Sequence, residues 1–219
     1  ATVPICTPQE VEYLCNFASG YFKQPVTPDD VVWSFSGVRG LYDDGTKAAS
    51  ATTREYVVRY DHVNGLPLLN IFGGKITTYR KLAEAVMDKL RVHFPQMPPN
   101  WTAGVALAGG DFEVGGNARL AGELRAEFDF VDAPWAARLI KAYGTEARLV
   151  LGAAKTPADL GVYFGANLYQ SEVRWLIDNE FAVAAEDVVW RRSKLGLRMS
   201  ADQISRLDVW MKQTATTPH

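Results

Sequence analysis

The sequence predicts an α+β chain in which an incomplete mixed α/β segment is followed by an all-α helical domain. Three observations carry this. Strand-forming, β-branched and aromatic runs occur only before residue 95. A proline-rich stretch, Pro95-Gln96-Met97-Pro98-Pro99-Asn100, then interrupts the pattern. Beyond it, apolar residues recur at helical spacing almost to the end. The expected organisation is a mixed segment over 1–95, a linker over 96–117 and a helical domain over 118–219.

The elements follow in order. Thr7-Pro8-Gln9-Glu10 reads as a helix start: Thr7 caps, Pro8 suits the first turn and Glu10 reaches back. Val11, Leu14, Cys15 and Ala18 then mark one apolar face. Val31 to Ser36 and Arg54 to Tyr60 read as strands, with a small-residue loop from Gly37 to Ser50 between them. Asn64-Gly65 is a hairpin turn signal before a third strand, Leu68 to Phe72. A helix follows Gly73-Gly74 and stops before Pro95. In the last hundred residues, helices are expected over 118–128, 134–143, 145–151, 171–179, 185–194 and 200–213. The last opens on a second capping-box pattern, Ser200-Ala201-Asp202-Gln203. Three short strands and two helices form a thin sheet with open edges, so the mixed segment reads as part of something larger.

Composition narrows the function. Net charge is −2, with 47% hydrophobic and 22% charged residues. That suits a globular chain and gives no global attraction to nucleic acid. The two cysteines, Cys6 and Cys15, form no CxxC, and His62, His93 and His219 have no ligand spacing, so no protein-held metal is expected. Cys15 lies on an apolar stripe and reads as a buried free thiol. No apolar run approaches the ~20 residues that span a bilayer. The chain begins with Ala1 rather than Met, a hint that it belongs to a longer one.

Two stretches can carry chemistry. Leu68 to Arg80 places a double-glycine turn between a strand and a helix. Glycines allow close approach of backbone, and a helix start offers unpaired amides and partial positive charge. Lys75 adds a full charge there, and Thr77 and Thr78 add hydroxyls. Such a turn favours an anionic or electron-rich ligand, although a capped strand-to-helix connection needs no ligand at all. Ser34-Phe35-Ser36-Gly37-Val38-Arg39 puts an arginine just after one strand, and Arg54 opens the next. Two guanidinium forks at neighbouring strand ends can clamp a phosphate, or can simply be solvated charges. A third stretch, Ala185 to Lys194, mixes both charge signs around an apolar stripe and reads as an amphipathic helix with internal ion pairs rather than a membrane-surface helix. Trp175, Trp190 and Trp210 read as core.

Taken together, Asp29 to Arg39, Thr53-Arg54-Glu55-Tyr56 and Phe72-Gly73-Gly74-Lys75-Ile76-Thr77-Thr78-Tyr79-Arg80-Lys81-Leu82-Ala83 resemble the respiratory FAD-dependent glycerol-3-phosphate dehydrogenases and the related glycerophosphate oxidases. Ser171 to Trp175 and Glu180 to Arg192 look like that family's C-terminal helical domain. The resemblance covers nearly the whole chain and is weakest over 95–127. It implies that the mixed segment is the C-terminal portion of an FAD/substrate-binding domain. It also implies oxidation of glycerol 3-phosphate to dihydroxyacetone phosphate, with electrons passing through FAD to quinone, or to oxygen in the oxidases. By the same resemblance Arg39 and Arg54 are the catalytic and substrate-binding arginines. Lys75 touches substrate and cofactor, and Gly73, Gly74 and Thr77 lie against the flavin.

Two departures stand out. Gly40-Leu41 follows the Ser-Gly-Val-Arg motif where the family usually has Pro-Leu. No GxGxxG follows a strand near the start. The FAD pyrophosphate site is therefore expected in a missing N-terminal half, and this chain alone is expected to lack FAD and activity. The mixed segment is then expected to be poorly ordered or to bury its edges in a neighbour, with a homodimer as one outcome. The resemblance further implies peripheral association with the cytoplasmic face of the membrane. A free-standing helical interaction or oligomerisation module is the alternative, as is a flavoenzyme of the amine or amino-acid oxidase type. Neither accounts for both arginines beside the glycine turn.

Overall fold

The computed structural model describes residues 4–38, 40, 42 and 55–215. The chain divides into two compact units, Ala1–Val105 and Ala106–His219.

The first unit begins with helix α1, Pro8–Ser19. Its start is the reciprocal cap that the sequence predicts: Glu10 N donates to Thr7 Oγ1 at 3.3 Å, and Thr7 N donates to Glu10 Oε2 at 2.8 Å. Ser19 Oγ closes the other end, donating to Cys15 O at 2.8 Å and accepting from Val26 N at 2.8 Å. Cys15 is a free thiol and the one buried apolar side chain among the unit's described residues.

Strands β1, Val57–Val63, and β2, Leu66–Phe72, form an antiparallel hairpin in the register Val57 to Phe72 through Val63 to Leu66. Asn64 and Gly65 both take positive φ, 53° and 79°, as a two-residue primed turn requires. The strand expected over Val31 to Ser36 does not form: residues 31–38 carry no strand pairing. β-propensity measures fit against a neighbouring strand, and the first unit's described strands, β1 and β2, pair with each other and not with this segment. Helix α2, Tyr79–Leu90, follows a 3-10 turn over Ile76–Thr78. Thr102 Oγ1 donates to Glu84 Oε1 of α2 at 2.7 Å, and Arg91 Nη1 donates to Met97 O at 3.2 Å, which ties the proline-rich stretch back onto the helix.

The second unit is built from α3 (Asn117–Glu127), α4 (Ala133–Tyr143), α5 (Ala147–Leu151), α6 (Gln170–Glu180) and α7 (Ala201–Ala215). Each helix turns an apolar stripe inward, and Leu124, Leu139, Phe164, Leu168, Val173 and Leu207 are fully buried. Asp132 caps α4, its Oδ1 accepting from Trp135 N at 2.8 Å. The Ser200–Gln203 box caps α7 reciprocally, with bonds of 2.9 and 3.3 Å. Trp175, Trp190 and Trp210 are half-buried against the core.

Two features depart from the sequence reading. A short hairpin, β3 (Tyr163–Gly165) with β4 (Leu168–Tyr169), interrupts the helices. Its turn is Ala166-Asn167, both left-handed, without the glycine that marks such turns. The amphipathic stretch at 185–194 is a π-helix over Asp187–Arg192, in which Ser193 N donates to Val188 O at 3.1 Å. The expected ion pairs are present: Arg191 bridges to Asp187 at 2.7 Å and to Glu186 at 3.1 Å.

Gly109 and Gly144 are placed where their backbones meet. Both have positive φ, and a Cβ on either would collide with the carbonyl at the other crossing point. Gly109 O accepts from Thr145 N at 3.0 Å. Among the described residues no helix is long and apolar enough to cross a membrane, and no group of His, Cys, Asp and Glu could hold a metal ion.

Candidate functional site

The end of β2 delivers the chain into Gly73 and Gly74, with φ of +67° and +101°. L-residues avoid these angles, so only glycine makes this turn without strain. Space also requires it. A Cβ on Gly73 would stand 3.2 Å from Glu55 O and 4.0 Å from Gly40 O, and one on Gly74 would stand 3.3 Å from Tyr56 Cβ. The glycines are therefore needed first by the chain's own crossing segments.

Arg39 and Arg54 lie outside the described residues. The residues that follow them in sequence do not. Gly40 and Glu55 both bring their carbonyls to Gly73, so the chain just past each predicted arginine converges on the glycine turn. Tyr42 packs its ring on Phe72 at 5.4 Å, and the Arg59 guanidinium sits 5.0 Å above the Tyr42 ring while hydrogen-bonding its hydroxyl. This fastens the end of β2 to the segment that carries Gly40.

Lys75 Nζ donates to Glu55 Oε1 at 2.6 Å. The two side chains are half exposed or more, at 50% and 62%, and exposed pairs contribute only ~0–1 kcal/mol. The Lys75 charge is thus held beside the turn by a partner that a ligand can displace at little cost. Twenty residues separate the two, and no sequence spacing pointed to Glu55. Thr78 Oγ1 donates to Lys75 O at 2.9 Å, rounding the 3-10 turn, while Thr77 stays exposed. The start of a helix leaves its first amides without intrahelical acceptors. Gly73, Gly74, Lys75 and Thr77 therefore form one exposed corner, with helix-start amides beside an ion-paired lysine. Its donor set suits an electron-rich or anionic group.

The second unit buries one charged side chain, and its partners are all structural. Glu172 is 2% exposed, the one buried charged residue among those described. Arg138 grips it with both nitrogens, at 2.6 and 2.7 Å, and Tyr143 donates to it at 2.8 Å. Arg138 Nη2 also donates to Asn167 O at 2.7 Å, reaching the β3–β4 turn. Burial, then the adjoining Glu172 carboxylate, pushes the Tyr143 phenol far above its ordinary range. Three of the roughly four acceptor sites of this carboxylate are taken, and its burial closes it to a substrate.

Comparison with known proteins places the chain in a family. Residues 100–211 match the C-terminal domain of alpha-glycerophosphate oxidase. The aerobic glycerol-3-phosphate dehydrogenase of Escherichia coli (strain K12) is 41% identical over 203 residues, covering 92% of this chain and 40% of that protein. The D-erythritol 1-phosphate dehydrogenase of Brucella abortus (strain 2308) is 39% identical over 207 residues, with 92% and 40% covered. The mitochondrial glycerol-3-phosphate dehydrogenase of Rattus norvegicus is 30% identical over 203 residues, with 88% and 27% covered. The chain thus spans about 40% of the length of its bacterial relatives, and the match extends through the glycine turn as well as the helical unit. The chain belongs to the alpha-glycerophosphate oxidase family, and residues 100–211 are its C-terminal domain.

Proposed function

We propose that this chain is the C-terminal part of an FAD-dependent dehydrogenase that oxidises glycerol 3-phosphate to dihydroxyacetone phosphate. The observation that carries the reading is the convergence of Gly40, Glu55 and Lys75 on the Gly73–Gly74 turn. The relatives' names supply the substrate class. Bound FAD would take the hydride from carbon 2 of the substrate and pass the electrons to quinone. The residues of this chain do the rest. Gly73, Gly74, Lys75 and Thr77 would hold the flavin, and Lys75 with the start of the helix beside it would stabilise negative charge on it. Arg39 and Arg54 hold the phosphate and so fix carbon 2 for transfer.

In this reading residues 1–95 complete an FAD/substrate domain whose N-terminal half holds the pyrophosphate, and a linker over 96–117, folded onto the helical unit from Ala106 onward, leads to a bracing helical domain over 118–219. The exposed apolar faces of the first unit, such as Ile76 at 88%, are surfaces for that half. The enzyme works peripherally at the cytoplasmic face of the membrane, where quinone is reached, and the unpaired hairpin edges admit a homodimer.

The 39% identity to a D-erythritol 1-phosphate dehydrogenase favours a second substrate, a longer polyol phosphate oxidised at the same corner. One experiment addresses both. The intact flavin-loaded protein is mixed anaerobically with glycerol 3-phosphate or with D-erythritol 1-phosphate, and the visible flavin absorbance is followed. Bleaching by glycerol 3-phosphate with release of dihydroxyacetone phosphate is the expected result. Bleaching by erythritol 1-phosphate alone would reassign the substrate, and none with either would overturn the reading and restore the interaction module. Rapid peroxide formation in air would make the enzyme an oxidase. Arg39→Ala should lower kcat/KM by ~10²-fold through both constants.

A further inference from the structure

A cavity in the second unit takes no part in the dehydrogenase reading. It lies between one stripe of α4 (Pro134, Ala137, Arg138 and Lys141, spaced as one helix face) and the segment 192–198 beyond the π-helix. Its volume is about 500 Å³, within the range of small-molecule sites. Five cationic side chains line it, Arg138, Lys141, Arg192, Lys194 and Arg198, and no carboxylate does.

The charge is only partly answered nearby. Arg138 is neutralised by Glu172 at 2.6 Å, and Arg192 lies 3.5 Å from Glu180. Among the described residues Lys141 and Arg198 form no ion pair. Lys194 donates to Trp190 O and so is held at the rim by its own chain. Arg138 Nε is buried with no acceptor among the described residues, an orphan donor in the cavity wall where such groups are rare. Like charges gathered at one concave surface repel and raise the local potential, a cost that an anion removes. Stability alone gives no reason for this gathering, because the core is complete without it.

We infer that this cavity binds the phosphate group of a phosphorylated molecule, a soluble phosphate ester or a lipid headgroup. Phosphate matches the donor set better than a single carboxylate. Its three terminal oxygens can each meet a separate fork or ammonium, and guanidinium pairs with it bidentately. Pro134, Ala137 and Leu197 supply apolar wall for the remainder of the ligand. The site is independent of Arg39, Arg54 and the glycine turn.

The test uses the full chain at low salt. Inorganic phosphate is titrated calorimetrically into the native chain and into Lys141→Gln/Arg198→Gln. Both positions are exposed and off the core, and far-ultraviolet circular dichroism checks that the fold is kept. Co-sedimentation with phosphatidylglycerol and with phosphatidylcholine vesicles runs in parallel. Saturable phosphate binding that the double variant weakens at least about tenfold supports the site and a soluble ester. Retention on phosphatidylglycerol vesicles alone, lost in the variant, supports the same site with a lipid headgroup. No binding in either arm, or binding that the variant leaves unchanged, overturns the inference. Phosphate held by Arg39 and Arg54 would give the last result, so the two phosphate assignments are separable.

Discussion

Helices α1 and α4 are near twins in sequence logic. They have 12 and 11 residues, each opens on a side-chain cap with proline in the first turn, and each carries an apolar stripe. Their fates differ. α4 buries Trp135, Ala136, Leu139, Ile140 and Tyr143, whereas α1 buries Cys15 alone and leaves Tyr13, Leu14 and Phe17 exposed at 67%, 56% and 60%. A helical pattern specifies a face and not the surface that covers it. Full burial of one such side chain stabilises by ~1.5–3 kcal/mol, so α4 is held by its neighbours and α1 holds a similar stabilisation unused. The same contrast runs through the two units. Every buried apolar residue described except Cys15 belongs to the second. The second unit surrounds a core of its own, while the first leaves most of its described apolar side chains exposed.

The comparison can be broken first at Glu172. Glu172→Ala strands Arg138 and the Tyr143 hydroxyl in the interior, and uncompensated buried charge of this kind costs ~3–5 kcal/mol. Thermal melting followed by near-ultraviolet circular dichroism should drop steeply for residues 106–219. A shift within ~1 kcal/mol would mean that the second unit does not depend on this pair.

A matched pair of leucines sharpens the contrast. Leu139→Ala should cost ~2–5 kcal/mol, and Leu14→Ala within ~0.5 kcal/mol in the chain alone. In the intact protein Leu14→Ala should rise toward the Leu139 value if an upstream half covers α1. Equal, small effects in both contexts would leave α1 without a partner.

The smallest effect is a titration. Burial and Glu172 raise the folded pKa of Tyr143 above the unfolded value of ~10. Its contribution is fully present below about pH 10 and is lost as pH climbs above it. Ultraviolet titration of the nine tyrosines should find Tyr143 ionising only with unfolding of its unit. Its ionisation alongside the exposed tyrosines would contradict the buried network.

What could be read from sequence was what is encoded within a few residues. The caps at Thr7–Glu10 and Ser200–Gln203, the Asn64–Gly65 turn and most helix spans are local agreements of propensity and spacing, and the structure has them. The failures are non-local or atypical. Val31 to Ser36 has strand residues but no paired edge. The Ala166-Asn167 turn lacks glycine, so the β3–β4 hairpin gave no signal. A π-helix shares its apolar stripe with an α-helix over so few residues that the two cannot be told apart by period. At the candidate site the glycine turn was legible because positive φ leaves a glycine signature. The Lys75–Glu55 pair and the Arg138–Glu172 pair join positions 20 and 34 residues apart, and local pattern carries no trace of either.

The crossing of Gly109 and Gly144 bears on where this chain can be cut. The segment ahead of α3 is hooked under the corner after α4, and Phe112 packs against the core from there. Arg119 reaches back from α3 to Glu113 at 2.8 Å. A clone that begins at the first residue of α3 would discard the hook, expose the corner and leave Arg119 without that partner. One that begins at Ala106 keeps all three, so the unit of folding opens ahead of its first helix, in a stretch whose glycines and lack of periodicity make it look dispensable.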